Sequence, residues 1–199
     1  MSKDVLVRER PKPSSIAEMM EDLDLKDTIV VNFFGGPGSG KSTTTAHTFA
    51  ELKWGGVNCE MALEYAKDKV WEKSFKVFDS QLYISGKQFH RLNRLVGEVD
   101  VILTDSPILL GLVYNKDGDE AFRQTILNHF HLFKNINFYM QRSKIYNPKG
   151  RFQTESQAVE VDNSVLEMLN ENNVEYETVE GSRDSIPYIV NKIKKELSL

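Results

Sequence analysis

Thr28-Ile29-Val30-Val31-Asn32-Phe33-Phe34-Gly35-Gly36-Pro37-Gly38-Ser39-Gly40-Lys41-Ser42-Thr43 is the stretch from which the rest of the chain is read. Thr28–Phe34 is an apolar, β-branched run that reads as a buried strand, and Ser42–Lys53 reads as a helix. Between them lies G-x4-G-K-S, in the register Gly35, Gly40, Lys41, Ser42. Each part has its own physical task. Gly35, Gly36, Gly38 and Gly40 permit φ > 0 and let backbone N–H groups curl around phosphate oxygens, with Pro37, Ser39 and Thr43 completing the cradle. Lys41 is expected to reach the β- and γ-phosphates and Ser42 to offer its hydroxyl to Mg²⁺. The helix that follows turns its positive end toward the anion. A strand before the motif and a helix after it separate a nucleotide cradle for ATP from a chance glycine-rich turn.

The whole chain bounds what such a loop can serve. Its 199 residues make one domain, or one domain with a short appendage, long enough to bury a core without staples. The single Cys59 lies in an apolar run and reads as an inert core thiol, which fits a reducing, cytoplasmic setting. No stretch approaches the ~20 apolar residues of a membrane span; Val101–Tyr114 is interrupted by Asp105 and Pro107. Lys3, Asp4, Arg8 and Arg10 have no apolar segment behind them, so the N-terminus does not read as a secretion signal. A net charge of −4 argues against a broad nucleic-acid-binding coat but leaves room for a local basic cleft.

Residues 1–26 read as an arm ending in a short helix, capped by Ser14 or Ser15, with Ile16, Met19, Met20 and Leu23 on one side. From residue 27 to 199 strand and helix alternate. Val57–Glu64 is expected as the second strand, followed by helical stretches at Ala66–Lys76 and Ser80–Leu95, the latter weakened by Gly86. Val99–Thr104 reads as a third strand, apolar throughout as a central parallel strand is. Then come a helix at Ala121–Phe133, a strand at Asn135–Gln141, a helix at Thr154–Leu169, a strand at Glu175–Val179 and a helix at Ile186–Leu197. Such βα alternation gives a mainly parallel, five-stranded sheet with helices on both faces, a three-layer α/β sandwich.

The carboxyl ends of such strands open into the ligand crevice. Asp105 ends the third strand there and is expected to hold Mg²⁺ opposite Ser42, unless it merely caps the turn through Ser106-Pro107. Glu64 arrives at the same edge and is the candidate base for a hydroxyl attacking the γ-phosphate; the bland alternative is a solvated Glu–Lys pair. Lys67 falls on the same side of a helical turn and is a candidate contact for substrate. Lys87, Arg91 and Arg94 share a helical face, and with Gln88 they can grip a phosphate and read a base edge. Residues 142–153 contain Arg142, Lys144, Lys149 and Arg151 and are broken by Pro148-Lys149-Gly150, the composition of a closing lid. Arg151 is the candidate catalytic arginine and Arg142 a nucleotide contact. The histidines His47, His90, His129 and His131 show no ligand or nucleophile-pair spacing; His129 and His131 are expected to pack in an apolar helix.

In this order, the phosphate loop, Glu64-Tyr65-Ala66-Lys67, Thr104-Asp105 and a lid ending in Gly150-Arg151 resemble the nucleoside- and nucleotide-kinase branch of P-loop proteins. The likeness is greatest to the nicotinamide-riboside-kinase-like ATPase and thymidylate-kinase-like families and covers roughly residues 28–185. It implies the kinase strand order 2-3-1-4-5, ATP and Mg²⁺ as cofactors, and an acid after the second strand as base, which supports Glu64. Two departures are Ser106, where thymidylate kinases have Arg, and Lys67, where the nicotinamide-riboside type has Arg. The chain is also similar to bacteriophage 5-hydroxymethyluracil DNA kinases in size, short arm and basic lid. That likeness implies a base within DNA as the acceptor and a host cytoplasm as the setting. A free nucleoside or nucleotide acceptor, and a P-loop ATPase switch without kinase activity, are the alternatives.

Overall fold

Strand β1 (Ile29–Phe34) is buried along its whole length because it lies at the centre of a sheet covered on both sides. The computed structural model describes residues 28–115, 118–143 and 154–199. Beside β1 run β2 (Cys59–Met61), β3 (Val101–Thr104), β4 (Lys134–Gln141) and β5 (Glu177–Glu180), all parallel, in the order β2-β3-β1-β4-β5. Among the described residues the helices are α1 (Lys41–Trp54), α2 (Tyr65–Trp71), α3 (Gln81–Asn93), α4 (Leu110–Tyr114), α5 (Glu120–Phe130), α6 (Glu155–Glu171) and α7 (Ile186–Glu196).

Alternation along β1 assigns the layers. Val30 and Phe34 pack into a core with Leu92 of α3, Phe122 and Ile126 of α5, and Val165 and Leu169 of α6. Ile29, Val31 and Phe33 face the other way, toward Leu52 of α1 and Ile189 and Ile193 of α7. Asn32, buried on the first side, is satisfied by Asn135 and Asn137 of the neighbouring strand, at 2.8 and 3.0 Å. Such pairing is what keeps a buried amide from costing stability.

The expected three-layer sandwich and strand order are therefore present, with shifted boundaries. The second strand is three residues long rather than extending from Val57 to Glu64. Beyond Met61 the chain turns, and the Ala62 carbonyl accepts from Thr104 Oγ1 at 2.7 Å and from Gln88 Nε2. The next helix stops at Trp71 instead of Lys76 because Lys73 adopts a left-handed conformation (φ 56°), and a 3₁₀ turn at Phe75–Asp79 follows. Helix α4 lies inside an apolar run that showed no separate helical signal. Its five residues are too few to establish a helical period. His131 is exposed just past α5, not packed within it. His129 is half-buried, its ring edge-on to Phe89. Cys59 is buried, and desolvation pushes its thiol up to about 11. The arm at residues 1–26 and, apart from Arg142 and Ser143, the lid with Arg151 lie outside the described residues.

Candidate active site

The loop after β1 takes the shape its glycines allow. Gly35, Gly38 and Gly40 have φ of 141°, 83° and 102°, a region that L side chains rarely enter. Gly36 is different: its φ is ordinary, but a Cβ there would lie 2.6 Å from both the Ala158 carbonyl oxygen and Asp162 Oδ1. It is glycine because another element comes close. Gly40 precedes α1 with no side chain capping the helix, and no acidic residue occupies the first turn. The N-terminal amides of α1 thus remain available to an anion. Lys41 Nζ donates to the carbonyls of Gly35 (2.6 Å) and Gly36 (2.9 Å), curled over its own loop. Burial lowers its pKa, against the opposing charges of Glu64, Asp105 and Asp162.

One strand end and one turn bring the carboxylates to this lysine. Asp105, directly after β3, is 2% exposed, and its Oδ1 accepts the Glu64 backbone N–H at 2.9 Å. Glu64 occupies the turn before α2, not the end of a strand. Burial raises its carboxyl, Lys41 pulls it back down, and Asp105 pushes it up again. Tyr114 of α4 stands by the same charges: burial, then Glu64 and Asp162, push its phenol up to about 12. It also lines a cleft of about 590 Å³ with Phe78, Gln81, Leu82, Asp119 and Phe122.

The other expected contacts divide into two groups. Gln88, expected at a base edge, is buried instead, accepting from Tyr65 N–H at 2.9 Å and donating to the Ala62 carbonyl at 3.4 Å. Arg91 donates to the Leu63 carbonyl at 3.0 Å, pairs with Asp68 and lies over the Tyr65 ring. Both hold the turn that carries Glu64. Lys67 and Arg94 are exposed, and Lys87 lies 5.6 Å from the Tyr83 ring centre. Arg142, just past β4, donates to Pro37 of the loop at 2.9 Å and to Asp162 of α6 through Nε (3.0 Å) and a terminal nitrogen (2.8 Å). Asp162 and Tyr114 did not stand out in the sequence. For Asp162 the available signal was a carboxylate on the apolar stripe Ala158, Val165, Leu169 of α6.

Ser42 and Asp105 supply hydroxyl and carboxylate oxygens, the hard donors Mg²⁺ takes together with waters and phosphate oxygens. Among the described residues no cluster of three or more His, Cys, Asp or Glu could cage a metal by protein ligands alone. That donor set fits a cation delivered with a nucleotide.

Parallel order, glycine cradle and capping-free helix define a P-loop nucleotide-binding α/β protein with the strand order of kinases. A family model described as an AAA domain matches residues 30–185, and the chain belongs to that family. No curated protein matches it in sequence. A solved structure similar in fold is a deoxyadenosine kinase from M. mycoides, with the products dCMP and a flexible dCDP bound. It is 16% identical, with a TM-score of 0.51, over 85% of this chain and 98% of that one. No helix among the described residues is long and apolar enough to cross a membrane.

Proposed function

We propose that this protein transfers the γ-phosphate of ATP to a hydroxyl of a nucleoside-type acceptor. The observation that carries the proposal is the meeting of Lys41 and Glu64. Lys41 Nζ lies over the glycine loop, Asp105 Oδ1 accepts the Glu64 backbone N–H at 2.9 Å, and the opposite charges of Lys41 and Glu64 bear on each other. Lys41 and the loop amides hold the transferring phosphate. Glu64 takes the acceptor's proton and, because the transition state is loose, mainly orients the hydroxyl. Asp105 is the poorer base, since one oxygen is already engaged by the Glu64 amide. It serves with Ser42 to hold Mg²⁺, which neutralises phosphate charge. Arg142 stands at the nucleotide and Lys67 meets the acceptor; Arg151, outside the described residues, keeps the role of catalytic arginine that its sequence context suggests. The cleft beside Tyr114 receives the acceptor base.

The finer reading is that the acceptor is the 5-hydroxymethyl group of 5-hydroxymethyluracil within DNA. It is supported by the segment that contributes Phe78 to Leu82 to the cleft. Residues 67–94 carry seven Lys or Arg against three Asp or Glu, a net +4 in a chain of net −4. Trp71, Leu82 and Tyr83 are exposed among them, at 66%, 65% and 43%. Cations interleaved with exposed rings suit a single strand or an extruded base. A free nucleoside or nucleotide is the second reading, favoured by the fold shared with a deoxyadenosine kinase. The test is transfer of labelled γ-phosphate to hydroxymethylated DNA, nucleosides and nucleotides in parallel. Label on polymer supports the finer reading and label on monomer the second; release of free phosphate alone would leave an ATPase switch and refute the kinase.

A further inference from the structure

Helix α6 presents Ala158, Asp162, Val165 and Leu169 on one face, and all four are buried. Three of these positions pack as core residues; at the fourth an apolar side chain would be the ordinary choice. Asp162 is tolerated because each of its oxygens is engaged. Oδ1 accepts the Gly36 N–H at 2.5 Å. Oδ2 accepts from Arg142 Nε at 3.0 Å and from its terminal nitrogen at 2.8 Å. That same nitrogen donates to the Pro37 carbonyl at 2.9 Å and reaches the Ala158 carbonyl at 3.4 Å. The contacts close a ring: α6 to the loop, the loop to Arg142, Arg142 back to α6. The Asp162 and Arg142 side chains are only 11% and 15% exposed. Stability alone is a poor reason for such a pair, because apolar residues of similar volume often do as well.

We propose that Asp162 is a positioning residue for the nucleotide: its two oxygens fix the first turn of the phosphate loop and the Arg142 guanidinium relative to each other, so that α6 sets both. The assignment rests on reading this loop as an ATP cradle, and it does not depend on the acceptor or on phosphoryl transfer. Gly36 is not among the amides at the helix start; it is the point where the loop's entry is fastened. Freed from Asp162, the loop entry and Arg142 move independently, and losing one charge-assisted hydrogen bond to the phosphates costs about tenfold or more in affinity.

The experiment measures Mg·ATP affinity by calorimetry, with thermal unfolding, for the full-length protein and for Asp162→Asn, Arg142→Met and the double variant. Asparagine keeps an oxygen for the Gly36 amide and removes the charge that holds Arg142. Asp162→Asn is expected to weaken ATP by at least about tenfold. In the Arg142→Met background the same change is expected to cost less than about threefold, because the cation it positions is gone. An undiminished effect in that background, or wild-type affinity in Asp162→Asn, overturns the proposal. If Asp162→Asn does not fold, the double variant decides: removing both charges spares the fold, and wild-type ATP affinity there overturns it. Wild-type protein that binds Mg·ATP but transfers no phosphate refutes the kinase reading and leaves this one standing.

Discussion

Gly181, the residue after β5, packs against the phosphate loop more closely than any side chain permits. A Cβ at Gly181 would lie 2.2 Å from the Ser39 carbonyl oxygen and 3.2 Å from its carbon. Its φ is not in the left-handed region, so alanine meets no backbone strain there and the obstacle is contact alone. Relief to an ordinary 3.4 Å contact requires an opening of about 1.2 Å, and the obstructing atom is backbone, not the tip of a flexible side chain. Gly181→Ala should thus move the loop, or the β5–α7 connection, by about an ångström. Overpacking of this kind costs roughly 1–3 kcal/mol in stability. A cradle displaced by that much should lose on the order of 100-fold in transfer. Gly86 supplies the control: it lies within α3 and nothing stands within 4 Å of a Cβ there. Gly86→Ala should stabilise by about 0.5–1 kcal/mol and leave ATP affinity unchanged. Urea unfolding and Mg·ATP calorimetry on both variants read the two signs. Wild-type stability and affinity in Gly181→Ala would refute the argument that this contact fixes the loop.

Lys41→Ala should abolish phosphoryl transfer in the label assay; retained turnover would show that the loop is not the cradle. Glu64→Gln should lower kcat far more than ATP affinity, and the acid limb of the wild-type rate profile, lying above the ordinary carboxylate range, should vanish in the variant. The same raised pKa predicts stability: the protonated carboxyl favours the fold at low pH, and that contribution is lost as pH rises through the folded value. Ligand-free Glu64→Gln should therefore outlast wild type in thermal unfolding at neutral pH and lose its advantage in acid.

The parts of the site written in consecutive residues were legible in the sequence. Phe34 to Ser42 specify strand, turn and helix by local chemistry alone, and Val101–Thr104 needs only its apolar run to be a central strand. What escaped was set by distant approach. Asp162 fastens Gly36 across 126 positions, and no periodicity on α6 announces that partner. Gln88 and Arg91 looked like substrate contacts because their spacing puts polar groups on one helical face. They face the Ala62–Tyr65 turn, whose carbonyls and amide would otherwise be unpaired. The short β2 follows from the same turn: once Ala62 bonds to Thr104 and Gln88, the chain leaves the sheet and Glu64 is carried inward by a loop.

Charge at the loop makes one further demand. Lys41 feels Glu64, Asp105, Asp162 and Arg142, two cations against three carboxylates. Burial pushes Lys41 and Glu64 toward their neutral forms, and the charge of each opposes that push on the other. A nucleoside triphosphate brings about four further negative charges into this setting, and unpaired charge out of water is costly. At ~4 Å and an effective dielectric near 20, one charge pair is worth ~4 kcal/mol, so a divalent cation beside the phosphates outweighs any single side chain. In the proposed site Ser42 and Asp105 supply the oxygens that would seat it. ATP titrated calorimetrically in excess chelator should bind at least about tenfold more weakly than Mg·ATP, even after solvent screening removes most of that energy. Asp105→Asn should narrow the gap by weakening Mg·ATP while sparing metal-free ATP. Equal affinity with and without Mg²⁺ would mean that Lys41 and Arg142 suffice for the phosphates, and would remove Asp105 from the metal role.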